Sequence, residues 1–155
     1  MSKDTHPICS KDDFPDKLIG IRYNGAGYHL AWQMNKMLKI SLSELPSICY
    51  TNKHGKSDVF YVFGEENGRE LRYLFKNKSK SHFLFPHLKN FDFFYLQVFD
   101  YKVDTIQTVR AVFELPECLF CSNIKLNQRQ SHFLYQILFQ NPQEDYAGKN
   151  PQNII

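Results

Sequence analysis

The 155 residues hold few of the features that mark membrane, secreted or helical-bundle proteins. No run approaches the roughly 20 apolar residues of a membrane span. The first stretch, MSKDTHPICSKDDFPDK, lacks the apolar centre of a signal peptide. The chain is therefore expected to be cytoplasmic, with no membrane contact. Excess charge of either sign is missing too: 19 Lys and Arg against 16 Asp and Glu leave a net charge of +3. So mild a balance neither requires nor excludes RNA as a partner.

Cysteine is too sparse for a disulfide framework. Cys118-Leu119-Phe120-Cys121 forms one CxxC, but a zinc site wants a second pair, and Cys9 and Cys49 are scattered. A thioredoxin-like pair opens a helix directly after a strand, whereas Pro116 and Glu117 stand before this one. Reduced thiols without metal or redox duty are the expectation. The six histidines cluster with no acidic residue at a ligand spacing, and His82 and His87 straddle Pro86. Neither metal nor cofactor is expected.

Glycine-rich phosphate motifs fail on inspection. Gly55-Lys56-Ser57 looks like the end of a P-loop, but Tyr50 stands where the first glycine is required, and a strand-like run follows where a helix must begin. Gly25-Ala26-Gly27 lacks the third glycine and the acidic residue of a dinucleotide fingerprint. No Gly-x-Ser-x-Gly stretch is present. No catalytic constellation emerges, and a non-enzymatic protein is expected.

Aromatics are what the chain has in quantity: 14 Phe and 9 Tyr against a single Trp. With few Gly and Ala, that composition suits sheets better than bundles. One domain over residues 17–139 is expected, between a loose polar arm at 1–16 and a polar tail at 140–155. KLIGIRY at 17–23 reads as a first strand. A helix over about 28–39 places Leu30, Ala31, Met34, Met37 and Leu38 on one arc. Trp32 and Tyr28 fall on its polar side beside Lys36, three candidate contacts for a protein partner.

Runs 57–64 and 70–77 flank Asn67-Gly68, the strongest short hairpin signal. With those two as the loop, Phe60 pairs with Phe75 and Val62 with Tyr73 on one face. On the other, Tyr61 opposes Leu74, Phe63 opposes Arg72 and Val59 opposes Lys76. Tyr61, Phe63, Arg72 and Lys76 would form an aromatic and basic surface able to stack bases and hold phosphates. A strand over about 91–99 follows, apolar on both faces (Phe91, Phe93, Tyr95, Phe99 against Phe94, Leu96, Val98) and so interior. Asp92 at its start should clamp the incoming loop, through backbone N–H groups of residues 88–90 or through Lys89. Asp104 would cap a short helix over 105–110 with Ile106 and Val109 inward, and 111–115 reads as a returning strand. The run 132–139 is apolar but of ambiguous type. The sum is an α+β domain: a mainly antiparallel sheet with two or three helices packed on one face.

Phe85-Pro86-His87-Leu88-Lys89-Asn90-Phe91-Asp92-Phe93 resembles the signature of the bacterial family named IPExxxVDY after its motif. Pro86 and Asp92 match outright. Phe91 and Phe93 stand for an aliphatic residue and a tyrosine, and His87 stands for the glutamate. Leu30-Ala31-Trp32 and Asn35-Lys36 look like the family's early segment, and the likeness spans about 17–135. It implies a small cytosolic protein of unassigned function, encoded near genes for acyl carrier protein, ribonuclease III and pyruvate kinase. Because Phe93 has no hydroxyl, that position performs no acid–base chemistry here. Pro86 and Asp92 read as a structural signature.

Overall fold

Consecutive apolar side chains buried on both faces make β1 (Lys17–Tyr23) an interior strand, and Asn24-Gly25 turns the chain into α1 (Gly27–Leu38). Then come β2 (Ser43–Thr51), β3 (Ser57–Asn67), β4 (Glu70–Lys76), a 3-10 turn at Pro86–Leu88 and β5 (Phe93–Phe99). The chain continues through α2 (Ile106–Phe113), β6 (Cys118–Lys125) and α3 (Gln128–Phe139). This computed structural model describes residues 12, 14–51, 53–99, 101 and 104–139. Most of the expected arm and the whole expected tail lie outside the described residues. Phe14 does not behave as arm: it is buried, edge-on to Tyr135 and Phe139 at ring distances of 5.4 and 5.5 Å.

The six strands form one sheet in the order β2-β3-β4-β5-β1-β6, each neighbouring pair antiparallel. The fold is a single α+β domain. Leu74, Phe93, Tyr95, Ile19 and Ile21 point to one face, where Leu30, Ala31 and Met34 of α1 and Val112 of α2 cover them. So two helices share a face, as expected. The opposite face carries Phe60, Val62, Tyr73, Phe75, Phe94 and Leu96, and α3 covers it through Leu134, Tyr135 and Ile137. Rings and branched chains of this size contribute roughly 1.5–3 kcal/mol each when fully buried. Both faces of β4, β5 and β1 are therefore committed to core over the middle of each strand, whereas Lys17, Gln97 and Phe99 reach an open cleft at one end.

Several expectations need correction. The hairpin loop is Gly68-Arg69 rather than Asn67-Gly68, and only Gly68 carries a positive φ (52°). That is the pattern of a turn with glycine at its first central position. Moving the loop by one residue keeps every side chain on its face and changes its partner: Val62 meets Phe75, Phe63 meets Leu74 and Glu65 meets Arg72. Residues 111–113 continue α2 instead of starting a strand, and the returning strand is β6. Asp104 does accept the Ile106 N–H (3.0 Å), but Ile106 and Met37 are exposed rather than inward. The ambiguous run at 132–139 is helical. Its start is a reciprocal capping box, in which Gln130 N–H donates to Asn127 Oδ1 (2.8 Å) and Asn127 N–H to Gln130 Oε1 (2.9 Å). The edge strand β2 had no expectation attached to it. Pro46 sits where its ladder slips between Leu45 and Ile48, a position where a missing N–H is tolerated.

Where β4 ends and β5 begins, the backbone is held by two side chains. Asn77 is fully buried. Its Nδ2 donates to the carbonyls of Leu88 and Phe91 (3.0 Å each), and its Oδ1 accepts the Phe85 N–H (2.9 Å). Asp92 Oδ2 accepts the Tyr23 N–H at 2.8 Å. The clamp expected of Asp92 thus closes onto the neighbouring strand β1, not onto residues 88–90. Because β5 starts only at Phe93, Phe91 escapes the strand alternation. Its ring packs with the α3-side core, in the space left by the missing side chain of Gly20.

Asn77→Ala leaves three backbone groups without that partner and is expected to cost about 3 kcal/mol in urea denaturation. Asn77→Asp should cost more, since it turns an acceptor toward two carbonyls. Asp92→Ala should cost about 1–2 kcal/mol and Asp92→Asn less, because the amide oxygen still accepts. Unchanged midpoints for Asn77→Ala would show that the loop is not held this way.

Candidate functional site

On α1, residues spaced by four stack along one face. Tyr28 (72% exposed) and Trp32 (53% exposed) occupy successive turns of the outer face, and the Lys36 ammonium lies 4.3 Å from the Trp32 ring centre. The structure thus brings the three expected partner contacts together. His29 joins them: its ring stacks on Trp32 at 6.2 Å and 22°, and its Nδ1 is 2.7 Å from the Tyr23 hydroxyl. Burial, and then the charge of Glu117, push the Tyr23 phenol up, so it stays neutral and able to donate. Sequence reading missed His29, although its place three residues before Trp32 marks it as a neighbour.

The helix beneath this surface is pinned at its end. Asn35 Nδ2 donates to the Leu42 carbonyl (3.0 Å), and Leu42 N–H donates back to Asn35 Oδ1 (2.7 Å). Lys39 ends α1 in the left-handed region. Asn35 therefore serves the fold, while Lys36 serves the exposed face.

The four residues expected to bind RNA do not form one surface. Tyr61 is 56% exposed. Phe63 is half-buried against the start of α1, where a side chain at Gly27 would meet its ring. Arg72 is spoken for: its guanidinium contacts Glu65 at 3.0 Å and Glu70 at 2.8 Å and lies 4.9 Å from the Phe99 ring. Lys76 is half-buried at the end of β4. A cation held by two carboxylates has little charge left for a phosphate.

Pro86 opens the 3-10 turn, where its missing N–H costs nothing. Gly55 carries a positive φ and Ser57 opens a strand, its hydroxyl 2.7 Å from that of Thr51, so Gly55-Lys56-Ser57 is a turn. Cys118 and Cys121 form no disulfide. A bulge at Leu119 puts both against the α1-side core. Burial pushes Cys118 up and Cys121 to about 12, which disfavours the thiolate that metals and electrophiles need. Among the described residues no group of three His, Cys, Asp or Glu is placed to hold a metal. Among them, too, no helix is long and apolar enough to cross a membrane.

Asp58, Ser81 and His82 meet in a manner that invites comparison with a catalytic triad. Both the Asp58 carboxylate and the Ser81 hydroxyl (3.0 Å) reach the same ring nitrogen, Nδ1 of His82. A triad needs the nucleophile at the nitrogen opposite the carboxylate. The cluster instead fastens the 79–82 turn to β3. No known family, curated protein or solved structure matches the chain. The likeness to the IPExxxVDY signature therefore stands on the quoted residues alone.

Burial works to raise the Asp58 carboxyl, but hydrogen bonds from Ser79, His82 and Ser81 outweigh it and hold Asp58 below its ordinary 3.8. A depressed carboxyl stabilises the folded state above its unfolded value, and that stability is lost as pH falls through the folded one. As pH falls through and below the ordinary carboxylate range, the wild type should therefore lose stability more steeply than Asp58→Asn. Parallel pH profiles from urea titrations would show that the pair contributes nothing.

Proposed function

We propose that the protein is a non-enzymatic cytoplasmic interaction module that binds a protein partner through the outer face of α1. The observation carrying this reading is the exposed Tyr28–Trp32–Lys36 column on a helix whose inner face is locked to the sheet. Tyr and Trp bury large areas at low entropic cost, and rings already stacked in the free protein lose little freedom on binding. His29 and Lys36 flank Trp32 a turn to either side, so the ring is set before any partner arrives. Membership of the IPExxxVDY family is part of the same proposal, resting on Pro86, Asp92 and the Leu30-Ala31-Trp32 stretch.

Trp32→Ala should leave stability within about 0.5 kcal/mol, as exposed substitutions do. It should weaken partner binding on the order of thirtyfold, the loss typical of a central anchor. Quantitative affinity capture from the source cell with wild type, Trp32→Ala and Tyr28→Ala measures this directly. Identical recovery by all three would remove α1 as the binding face.

A second reading, RNA binding, is favoured by one observation: the exposed Tyr61 ring on β3. It requires that a single-stranded RNA oligonucleotide bind with an affinity that falls as salt rises and falls again in Tyr61→Ala. Arg72→Ala should matter little, because Glu65 and Glu70 already neutralise that cation. Absence of binding in fluorescence anisotropy at low salt would end the RNA reading.

A further inference from the structure

The helical cover on the α1 side of the sheet stops partway along β3. Phe63 packs against the start of α1, but Val59 and Tyr61, on the same face, are exposed. Continuing the register of Val62 with Phe75 sets Tyr61 across from Lys76. Lys76 in turn pairs with Phe93, so the ring and the lysine share the α1-side face.

Beyond them the sheet ends in two turns. One joins β2 to β3 and carries Lys53, His54 and Lys56; the other follows β4 and carries Lys78, Lys80 and His82. Asp58 draws the turns together, since its carboxylate takes the His82 ring and the Ser81 hydroxyl (3.4 Å). A bridge between Lys78 and Phe83 closes the second turn. Lys53, Lys78 and Lys80 are exposed.

Charge is concentrated at this end. Residues 53–63 and 76–82 hold five lysines and one aspartate, an excess of four where the whole chain carries +3. The remainder of the molecule is therefore close to neutral. Asp58, the one carboxylate, is already engaged by Ser79, His82 and Ser81. Among the described residues, Lys53, Lys76, Lys78 and Lys80 form no ion pair. A surface that serves solubility intersperses both signs. Here one sign gathers beside an exposed ring, and an anionic chain laid across it would relieve the repulsion.

We propose that this end of the sheet binds single-stranded RNA, with an unpaired base stacked on Tyr61 and the adjoining phosphates on Lys76, Lys78, Lys80 and Lys53. The inference rests on the RNA reading of Tyr61 and moves its cationic half from Arg72 to the two turns. Lysines hold phosphates as point charges, and a ring beside them suits the unpaired bases that RNA presents in loops and ends. From Ser57, at the first turn, to Tyr61 the strand covers about 13 Å, a span of a few nucleotides.

Fluorescence anisotropy with a labelled oligouridine of about ten nucleotides, run across a salt series, tests the surface. Four lysine–phosphate contacts predict that log affinity falls against log salt with a slope of about −3. Lys53→Gln combined with Lys80→Gln should leave the melting temperature unchanged, weaken binding about tenfold at low salt and flatten the slope by about 1.4. Tyr61→Ala should weaken binding roughly tenfold and leave the slope as it is. Lys17→Gln with Lys125→Gln removes the same charge toward the opposite edge of the sheet and should change affinity by less than about twofold. RNA should bind at least as tightly as the matching oligodeoxyuridine, and a tighter hold on the DNA would overturn RNA as the partner. Equal losses from the two lysine pairs would reduce the effect to net charge and overturn the site. Binding that needs Tyr61 but neither Lys53 nor Lys80 would overturn this surface while leaving the RNA reading of Tyr61 in place. Binding indifferent to Tyr61 and matched by inorganic polyphosphate would overturn the base stacking. No binding at low salt would overturn both.

Discussion

Asn77 carries the junction on which the rest of the structure depends. Between β4 and β5 the chain leaves the sheet, crosses the α3-side face and returns, so its backbone groups need partners away from any ladder. One fully buried amide supplies three of them, and its own backbone N–H and carbonyl pair with Asp92 and Leu84. An amide is the side chain suited to this place, since it alone offers donors and an acceptor without charge. Held there, Phe85 reaches Phe94 of β5 and Phe133 of α3, at ring distances of 5.6 and 5.7 Å. One polar hub therefore sets both the start of the central strand and the seat of α3. The Asp92 carboxylate completes the junction from the β1 side.

The elements that could be read from the sequence are those whose local pattern agrees with their final burial. β1 and β5 have alternation or double-sided apolarity matched by their place inside the sheet, and α1 shows its phase clearly enough to put Trp32 outside. The failures have physical causes. Residues 111–115 read like a strand, but 111–113 finish α2 and 114–115 turn away from it, with Val112 and Leu115 buried. β2 hides behind Pro46, which is allowed only because the strand lies at an edge. Asn127 and Gln130 spell a capping box that would have settled α3, yet its value emerges only when read before the apolar run.

The candidate sites were less legible, because each depends on register or on where cover stops. A one-residue difference in a hairpin loop decides whether Arg72 meets Phe63 or Glu65. With the first pairing the face is aromatic and basic; with the second it is a closed ion pair. Nothing in the composition of the two strands distinguishes them, since either loop keeps every side chain on its own face.

Along β5 the cover on the α1 side is not uniform. Near Phe93 the cover is complete, and what remains for recognition is the outer side of the helix that provides it. Near Gln97 the strand reaches an open cleft bordered by the start of α2. Between the two ends runs a strand buried on both sides, in which Phe94, Leu96 and Val98 are held by one core and Phe93 and Tyr95 by the other. A close-packed interior strand yields little without breaking both cores. Coupling between distant sites needs an element with two alternative arrangements. A doubly packed strand is a poor candidate for such an element, so a partner bound on the Tyr28–Trp32 face should leave the far end of the sheet unchanged.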